Sequence, residues 1–597
     1  IAGFILHDFE KFYYQYFPKM SKKYIDIRQD INQDIRKLSI EEHREIFEVM
    51  IPELGLDKFL FPDNTEKWRE YIDDILFIAY NAQRRNDTNL NLSEDGLSTT
   101  LNPRILESLA DLTCLADRLA SIIKHPQDAQ KSQLQELIFK LSDGQLKFTY
   151  HSISENRGVL TNVVNNAVME AYTELNTEEI TYYKPLLYLP SGVIYLKSKD
   201  APSIDVNTLP ERVVNTIKQL CSGELQRKQT GFGRDGKGMK YADYYTQFFD
   251  DAGLMGVALD ATLRILKNKT SVAKSRSENL ENFKKQGVLP SDLDFSFGDD
   301  IRIDQLAEFG DAVTRKIWGD RLEKIEAQRK INKKLPPIKT IDIVAEIVQY
   351  WQLKAYLPQI RHIQRINERL KELKLKGNTG GVPYEWYYLA AKYLEHNPGV
   401  DDLNPVGSDL INFVAPKLAD LSQEYNLPDG WNDIRQWVSR VVMLPDQIPQ
   451  TTDATDLFLK ELNNYNAAKK QGRGKQLICS ISHSAYSVAE QMESAVLFTP
   501  QVYTNKQMLG GSNAKRNISS IAGTDMMLRQ ILMNQTQAVG KRFEDGKYRY
   551  LYFYPTYYFT PETNSFLQKA YANIAQTRFD TSIRGHFVSK AVSYTHL

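Results

Sequence analysis

A switch of periodicity near Thr181 constrains this chain more than any other feature. Before and after it, apolar residues recur at intervals of three and four, as in Phe47, Met50 and Ile51 and again along 105–123, 257–285 and 302–375. At the switch, Pro185-Leu-Leu-Tyr-Leu and Val193-Ile-Tyr-Leu196 are two runs of strand-forming residues around the turn triplet Pro190, Ser191 and Gly192. An all-helical architecture is excluded, and a hairpin inside a mostly helical α+β protein is expected. The 597 residues divide into roughly three to five folded units. An acidic, Gly-containing stretch at 291–300 separates the two long helical patterns, and Pro and Gly mark loops at 377–383, 398–405, 428–430 and 445–449. From Lys475 the expectation is a strand at 477–481, a helix at 485–494 and an aromatic run at 548–559 after the turn pair Asp545 and Gly546. No fixed-period repeat points to a solenoid.

Net charge says nothing about partners. Lys plus Arg and Asp plus Glu are 75 each, so any nucleic-acid binding must come from local patches. The 3 Cys, at 114, 221 and 479, are too far apart for a CxxC metal knuckle and suit a reducing, intracellular setting. No run reaches the roughly 18 to 20 apolar residues of a membrane span, which predicts a soluble chain. Residues 1–18 lack a basic leader and contain Asp8, Glu10 and Lys11, unlike a signal peptide. A start at Ile1 and the undefined segment 591–597 suggest a fragment.

If 2–16 is helical, Ile1, Phe4, Ile5, Phe12 and Tyr16 share a face with Asp8 in its middle. A carboxylate taken from water costs several kcal/mol unless it is paired or binds a metal. Adjacent His7 and Asp8 suit a di-metal phosphohydrolase, the imidazole ligating one ion and the carboxylate able to bridge two, with Lys11 on a phosphate. The bland alternative is an Asp that caps or salt-bridges near a helix end. A later carboxylate is offered by the 105–123 helix, where Asp117 lies at the edge of the apolar face beside Ala110, Ala120 and Ser121 while Asp111 projects from the other side. Either is otherwise a solvated helix carboxylate. His43, His125 and His151 are further possible ligands, though a lone His more often has a structural role. Asp292, Asp294, Asp299 and Asp300 can bind Mg²⁺, against the simpler reading of a solvated, helix-capping loop.

Two basic features suit phosphates. On 361–376, Arg361, Arg365 and Arg369 repeat every four residues opposite an apolar stripe of Ile363, Ile366, Leu370 and Leu373; Glu368 and Glu372 keep an ordinary solvated face open as the alternative. In 504–520, Lys506, Lys515 and Arg516 surround Gly510, Gly511, Ser512 and Asn513 without any acid, and Thr524 with Asp525 would cap the next helix. The alternative there is a mobile surface loop. The aromatic run could stack bases, although core packing is the commoner use.

Leu6-His-Asp-Phe-Glu-Lys11, the 185–196 hairpin and above all the block 497–557, opening Leu497-Phe-Thr-Pro-Gln-Val-Tyr-Thr-Asn-Lys-Gln-Met-Leu-Gly-Gly-Ser512, together resemble the large subunit of type I-D CRISPR effector complexes. The resemblance covers nearly the whole chain apart from 591–597, which reads as foreign sequence. It implies a multidomain α+β protein: an N-terminal all-helical HD nuclease-like domain (1–150), a palm-like module with the hairpin (151–260), a mainly helical region (261–470), a second palm-like module (471–597) and a helical bundle beyond Leu597. His7 and Asp8 match the family's HD pair and Asp117 its final carboxylate; a first ligand would precede Ile1, and Asn81-Ala-Gln83 stands where a His pair would be sought. The implied cofactor is a divalent metal such as Mn²⁺, Mg²⁺ or Ni²⁺. The implied partners are CRISPR guide RNA, target DNA, other effector subunits and a separate helicase-type protein, in the cytoplasm and away from membranes. The expected function is RNA-guided recognition of target DNA in antiviral defence with metal-dependent cleavage by the HD domain. Its rival is a catalytically inert DNA- and RNA-binding scaffold of the same complex. A free-standing HD phosphohydrolase of small nucleotides would leave 497–557 unexplained, and no cyclase activity is expected without Gly-Gly-Asp-Asp.

Overall fold

Local chemistry sets the first helices. In the computed structural model, which describes residues 1–8, 39–82, 90–92, 94–229, 231–235, 238–291, 298–338, 341–373, 381–445, 454–471, 478–482, 484–490, 517–533 and 557–576, the short helix α1 (Ala2–Leu6) precedes α2 (Ile40–Glu53). A capping box opens α2: the Glu42 N–H donates to Ser39 Oγ at 3.3 Å and the Ser39 N–H donates to the Glu42 carboxylate at 2.8 Å. Helices α3 (Ile72–Asn81), α4 (Pro103–Ile122) and α5 (Ser132–Leu141) follow. Asn102 caps α4 through the Arg104 N–H and Pro103 fills its first turn.

The expected hairpin forms the heart of a larger sheet. Strands β1 (Leu146–Ile153), β2 (Tyr183–Leu189), β3 (Gly192–Ser198) and β4 (Val442–Met443) lie in the order β2-β3-β1-β4, all neighbours antiparallel, with Thr149 opposite Tyr195 and Ile153 opposite Val442. Helix α6 (Val159–Thr173) connects β1 to β2, and α7 (Leu209–Lys228) follows β3. Gly192 is required at the turn, because a Cβ there would stand 2.1 Å from the His151 carbonyl oxygen. Alternate residues of β3 enter different cores. Val193 and Tyr195 join the core that contains Leu160 and Val164 of α6 and Val213 and Val214 of α7; Ile194 joins Cys114, Leu115, Leu134 and Leu137 of α4 and α5. Both faces of the sheet are thus covered, and α4 links the N-terminal helices to it.

Between β3 and β4 lies the expected helical region, more broken than its periodicity predicts. The 257–285 pattern divides into α8 (Asp251–Leu266) and α9 (Ala273–Lys285), and the Asp304 carboxylate accepts the Ser271 hydroxyl at 2.6 Å and the Val272 N–H at 3.2 Å where α9 begins. The 302–375 pattern becomes α10 (Ile301–Asp311), a π-helical turn (Ala312–Ile317), α11 (Trp318–Ile331), α12 (Ile343–Tyr350) and α13 (Leu357–Glu372). Pro336 and Pro337 interrupt it, and Gln352 takes a left-handed φ of 59°. Helices α14 (Tyr384–His396), α15 (Leu403–Glu424) and α16 (Asn432–Val441) lead into β4, and α17 (Ala454–Gln471) follows.

The last region corrects several expectations. Residues 478–482 form no strand; they loop around Cys479, whose Sγ accepts the Ser482 and Ser519 N–H groups at 3.1 Å each. Where a helix was expected from 485, the chain forms strand β5 (Val488–Glu490), paired antiparallel with β6 (Asn517–Ser519). Thr524 and Asp525 do not cap a helix. Ser519 does, for α18 (Ser520–Leu528), and both residues lie inside it. Of the aromatic run, only its final residues are described, and Phe559 exchanges backbone hydrogen bonds with Tyr188 of β2 at 2.7 and 2.8 Å before α19 (Pro561–Gln576). The protein is therefore mixed α+β, mainly helical with small antiparallel sheets. Among the described residues no helix is long and apolar enough to cross a membrane.

Candidate metal centre

Helix α1 reaches its place because Gly3 lets it lie against α3: a Cβ on Gly3 would be 2.5 Å from Ile78 Cγ2 and 2.8 Å from Ile78 Cβ. Leu6 is fully buried beneath it. At the C-terminal end of α1, His7 Nδ1 bonds the carbonyl of Phe4 and the ring stacks on the Phe4 ring, centroids 5.1 Å apart. With Nδ1 donating to that carbonyl, Nε2 faces Asp117 Oδ1 of α4 at 3.1 Å and Asp8 Oδ2 at 3.5 Å. The pairing joins positions 110 residues apart.

One ligand atom from each of His7, Asp8 and Asp117 falls within 4.8 Å of the others. The His7 side chain is 8% exposed, whereas Asp8 and Asp117 are 22% and 25% exposed, so the ring is buried and the carboxylates form an open rim. Burial pulls the His7 pKa down, but the bonds to Asp117 and the Phe4 carbonyl and the charges of Asp8 and Asp117 outweigh it, and the net shift is upward. The donor set fits a divalent cation. It offers one imidazole nitrogen with its other nitrogen anchored and two carboxylates to balance charge, an arrangement suited to a first-row metal. A metal would take the place of the hydrogen bond between Nε2 and Asp117 Oδ1.

The other expected ligands lie elsewhere. His43 is buried in α2 between the Ser39 carbonyl, 3.0 Å away, and the Tyr80 hydroxyl. His125 is exposed at a turn, and His151 is sealed inside the sheet. Asp111 is corrected: it is 3% exposed rather than solvated, and pairs with Lys140 at 2.6 Å. Asn81 donates to the Phe77 and Leu90 carbonyls. Asp300 caps α10 through the Arg302 N–H at 2.9 Å and pairs with the same guanidinium, as the capping alternative for the acidic loop expects. Asp292 and Asp294 lie outside the described residues, as do Lys11, Lys506, Lys515 and Arg516. Arg361 is held by Asp342 and Gln364, while Arg365 and Arg369 are exposed on α13.

Two structural devices are not legible in the sequence. The Phe4 carbonyl orients His7, and only the three-residue spacing could have hinted at it. Asp73 and Asp74 are buried acids on α3. Asp73 pairs with Arg44 at 2.6 Å, and Asp74 accepts the Thr100 and Leu101 N–H groups, tying the segment before α4 to α3. No family model matches the chain, and no curated protein matches it.

Proposed function

We propose that the chain is the large subunit of a type I-D CRISPR effector complex and that its N-terminal helices form an HD-type, divalent-metal-dependent DNA nuclease. The observation that carries this reading is the meeting of His7, Asp8 and Asp117, the residues that the resemblance assigns to the HD site. The strand order β2-β3-β1-β4 with a helix after β1 and another after β3 is a split β-α-β connectivity, which supports a palm-like module with a long helical insertion before its last strand.

His7, Asp8 and Asp117 would hold the cation, and bound there it would polarise a phosphodiester and lower the pKa of a water. The Phe4 carbonyl keeps the Nδ1 proton, so Nε2 presents its lone pair. The carboxylates compensate positive charge, and their partial exposure leaves the site open to a strand from solvent. Lys11 would neutralise a phosphate oxygen. Guide RNA, target DNA, sister subunits and a helicase-type partner are the partners this reading implies.

The test is cleavage of labelled single-stranded DNA with Mn²⁺, Ni²⁺ or Mg²⁺, beside EDTA and the His7→Ala, Asp8→Ala double variant. Cutting that needs metal and vanishes in the double variant is expected. Protein that binds DNA and never cuts it makes the chain an inert scaffold.

A further inference from the structure

Among residues that take no part in the centre just described, a cleft gathers cations from three separate elements: Arg276 of α9, Arg315 of the π-helical turn and Lys371 of α13, with Asn367, Gly381 and Tyr384 also in its wall. No carboxylate lines it among the described residues. Gathering like charges costs energy unless something balances them. Behind the wall, Asp311 pairs with Arg315 at 2.5 Å, but Glu308 pairs with Arg234 at 2.5 Å and Asp304 takes the Ser271 hydroxyl. Glu385, partly exposed, accepts a hydrogen bond from Asn367, and desolvation of its carboxyl pushes its pKa up to about 7. Of these four acids, Asp311 is the one paired with a cation of the cleft wall.

The wall is also built to hold guanidinium groups. Arg276 lies 6.0 Å from the ring centroids of both Tyr384 and Tyr387. A Cβ on Gly381 would be 3.1 Å from an Arg276 nitrogen, and Arg315 donates to the Gly381 carbonyl at 3.3 Å. One glycine thus lets two arginines reach the same backbone. Helix α14 begins here, its Tyr384 N–H donating to Asn367 Oδ1 at 3.3 Å, and adds the positive end of its dipole.

We propose that this cleft binds a phosphate group, with arginine forks and a lysine point charge as the recognising chemistry. Its preferred source is the backbone of single-stranded DNA, a choice that rests on the function proposed above; a nucleoside triphosphate carries the same chemistry. The cleft is distinct from the arginine stripe of α13. At 3.6 residues per turn, 367 and 371 share one side of α13 and 365 and 369 the other.

The experiment is fluorescence anisotropy of a labelled single-stranded oligonucleotide in EDTA, with calorimetric titration of ATP in parallel, on the full chain and on Lys371→Gln and Arg276→Gln, Lys371→Gln. Lys371 is exposed, so the single variant keeps the test valid if the double variant misfolds. The expected result is oligonucleotide affinity lower by roughly tenfold in the double variant, with a salt slope shallower by about 0.7 for each phosphate no longer neutralised. Unchanged oligonucleotide binding with loss of ATP binding would keep the phosphate site and assign it to nucleotides. Unchanged binding of both would overturn the proposal. Since EDTA removes metal from the assay, an inactive nuclease leaves this result interpretable, and a nuclease that cuts while both variants bind like the parent sinks the cleft alone.

Discussion

His7 and His151 are both withdrawn from water, yet the protein treats them oppositely. His7 faces the carboxylates of Asp8 and Asp117, and its pKa rises despite burial. His151, fully buried in β1, accepts the Tyr195 hydroxyl proton at Nδ1 over 2.7 Å and donates from Nε2 to Asn165 Oδ1 at 2.9 Å. Burial lowers its pKa to about 4, a shift that the bond to Asn165 only partly opposes. Neutral partners satisfy one uncharged tautomer and leave nothing for a metal to do. Carboxylate partners instead create a place that a proton or a cation must fill. The type of neighbour, more than the depth of burial, separates a structural histidine from a candidate ligand.

The sharpest way to break this comparison is to remove the structural histidine. His151→Leu leaves the Tyr195 hydroxyl, in a fully buried residue, without its partner, and should cost about 3 kcal/mol. Urea unfolding measures it, and a loss below about 1 kcal/mol would mean that the sheet interior does not depend on the bond. His7→Ala should leave the urea midpoint close to the parent's.

Acid supplies the next effect. The neutral form of His151 is favoured by folding, so its contribution is complete above the unfolded pKa of 6.5 and is lost as pH falls from there towards about 4. Proton uptake by the unfolded state then removes about 3 kcal/mol of stability over that window. His151→Leu should show a flatter fall in stability between pH 6.5 and 4 than the parent. Parallel pH profiles would refute the assignment.

Some of this was readable in the residues and some was not. The hairpin was, because Pro190, Ser191 and Gly192 interrupt two runs of β-formers, and the structure explains Gly192 by its approach to the His151 carbonyl. Strand β1 is hidden in the sequence because residues on both its faces are buried, as with Phe148 and His151, which blurs the alternation that reveals a half-exposed strand. Two-residue β4 has too few side chains for any pattern. At 485–490 local apolar spacing imitates a helix, while the partner that makes β5 a strand sits at 517–519. His7, Asp8 and Asp117 were readable as an imidazole and two carboxylates, but the apolar face read for the first helix was not the buried one: Ile1 and Ile5 are exposed, and Ala2, Gly3 and Leu6 are buried instead. The Arg276, Arg315 and Lys371 cleft was not, since its cations come from three elements that only tertiary packing brings together.

Smaller effects sharpen the comparison from the His7 side. Asp117→Asn keeps shape and removes charge, so Mn²⁺ affinity measured by calorimetry should fall by roughly tenfold or more, with little change in stability because Asp117 is 25% exposed. Equal Mn²⁺ affinity in variant and parent would remove Asp117 from the ligand set.

The subtlest prediction concerns Gly3, where an added Cβ would meet Ile78 and the Ile75 carbonyl first. Its missing side chain sets the distance between α1 and α3, and Ile78 Cβ, which a change of rotamer cannot move, would lie 2.8 Å from an added Cβ. Gly3→Ala must therefore push α1 outward. The bond from His7 to the Phe4 carbonyl travels with the helix, so the ring stays oriented while its distance to Asp117, on α4, grows. Mn²⁺ affinity should drop severalfold, and Ile78→Gly in the same chain, which removes the obstructing Cβ, should restore it, a coupling that a double-mutant cycle reads directly. If Gly3→Ala binds Mn²⁺ like the parent, α1 is free to adjust and the spacing of His7 and Asp117 is not fixed by this contact. If the affinity falls and Ile78→Gly fails to restore it, the loss arises in α1 itself and not from its packing on α3.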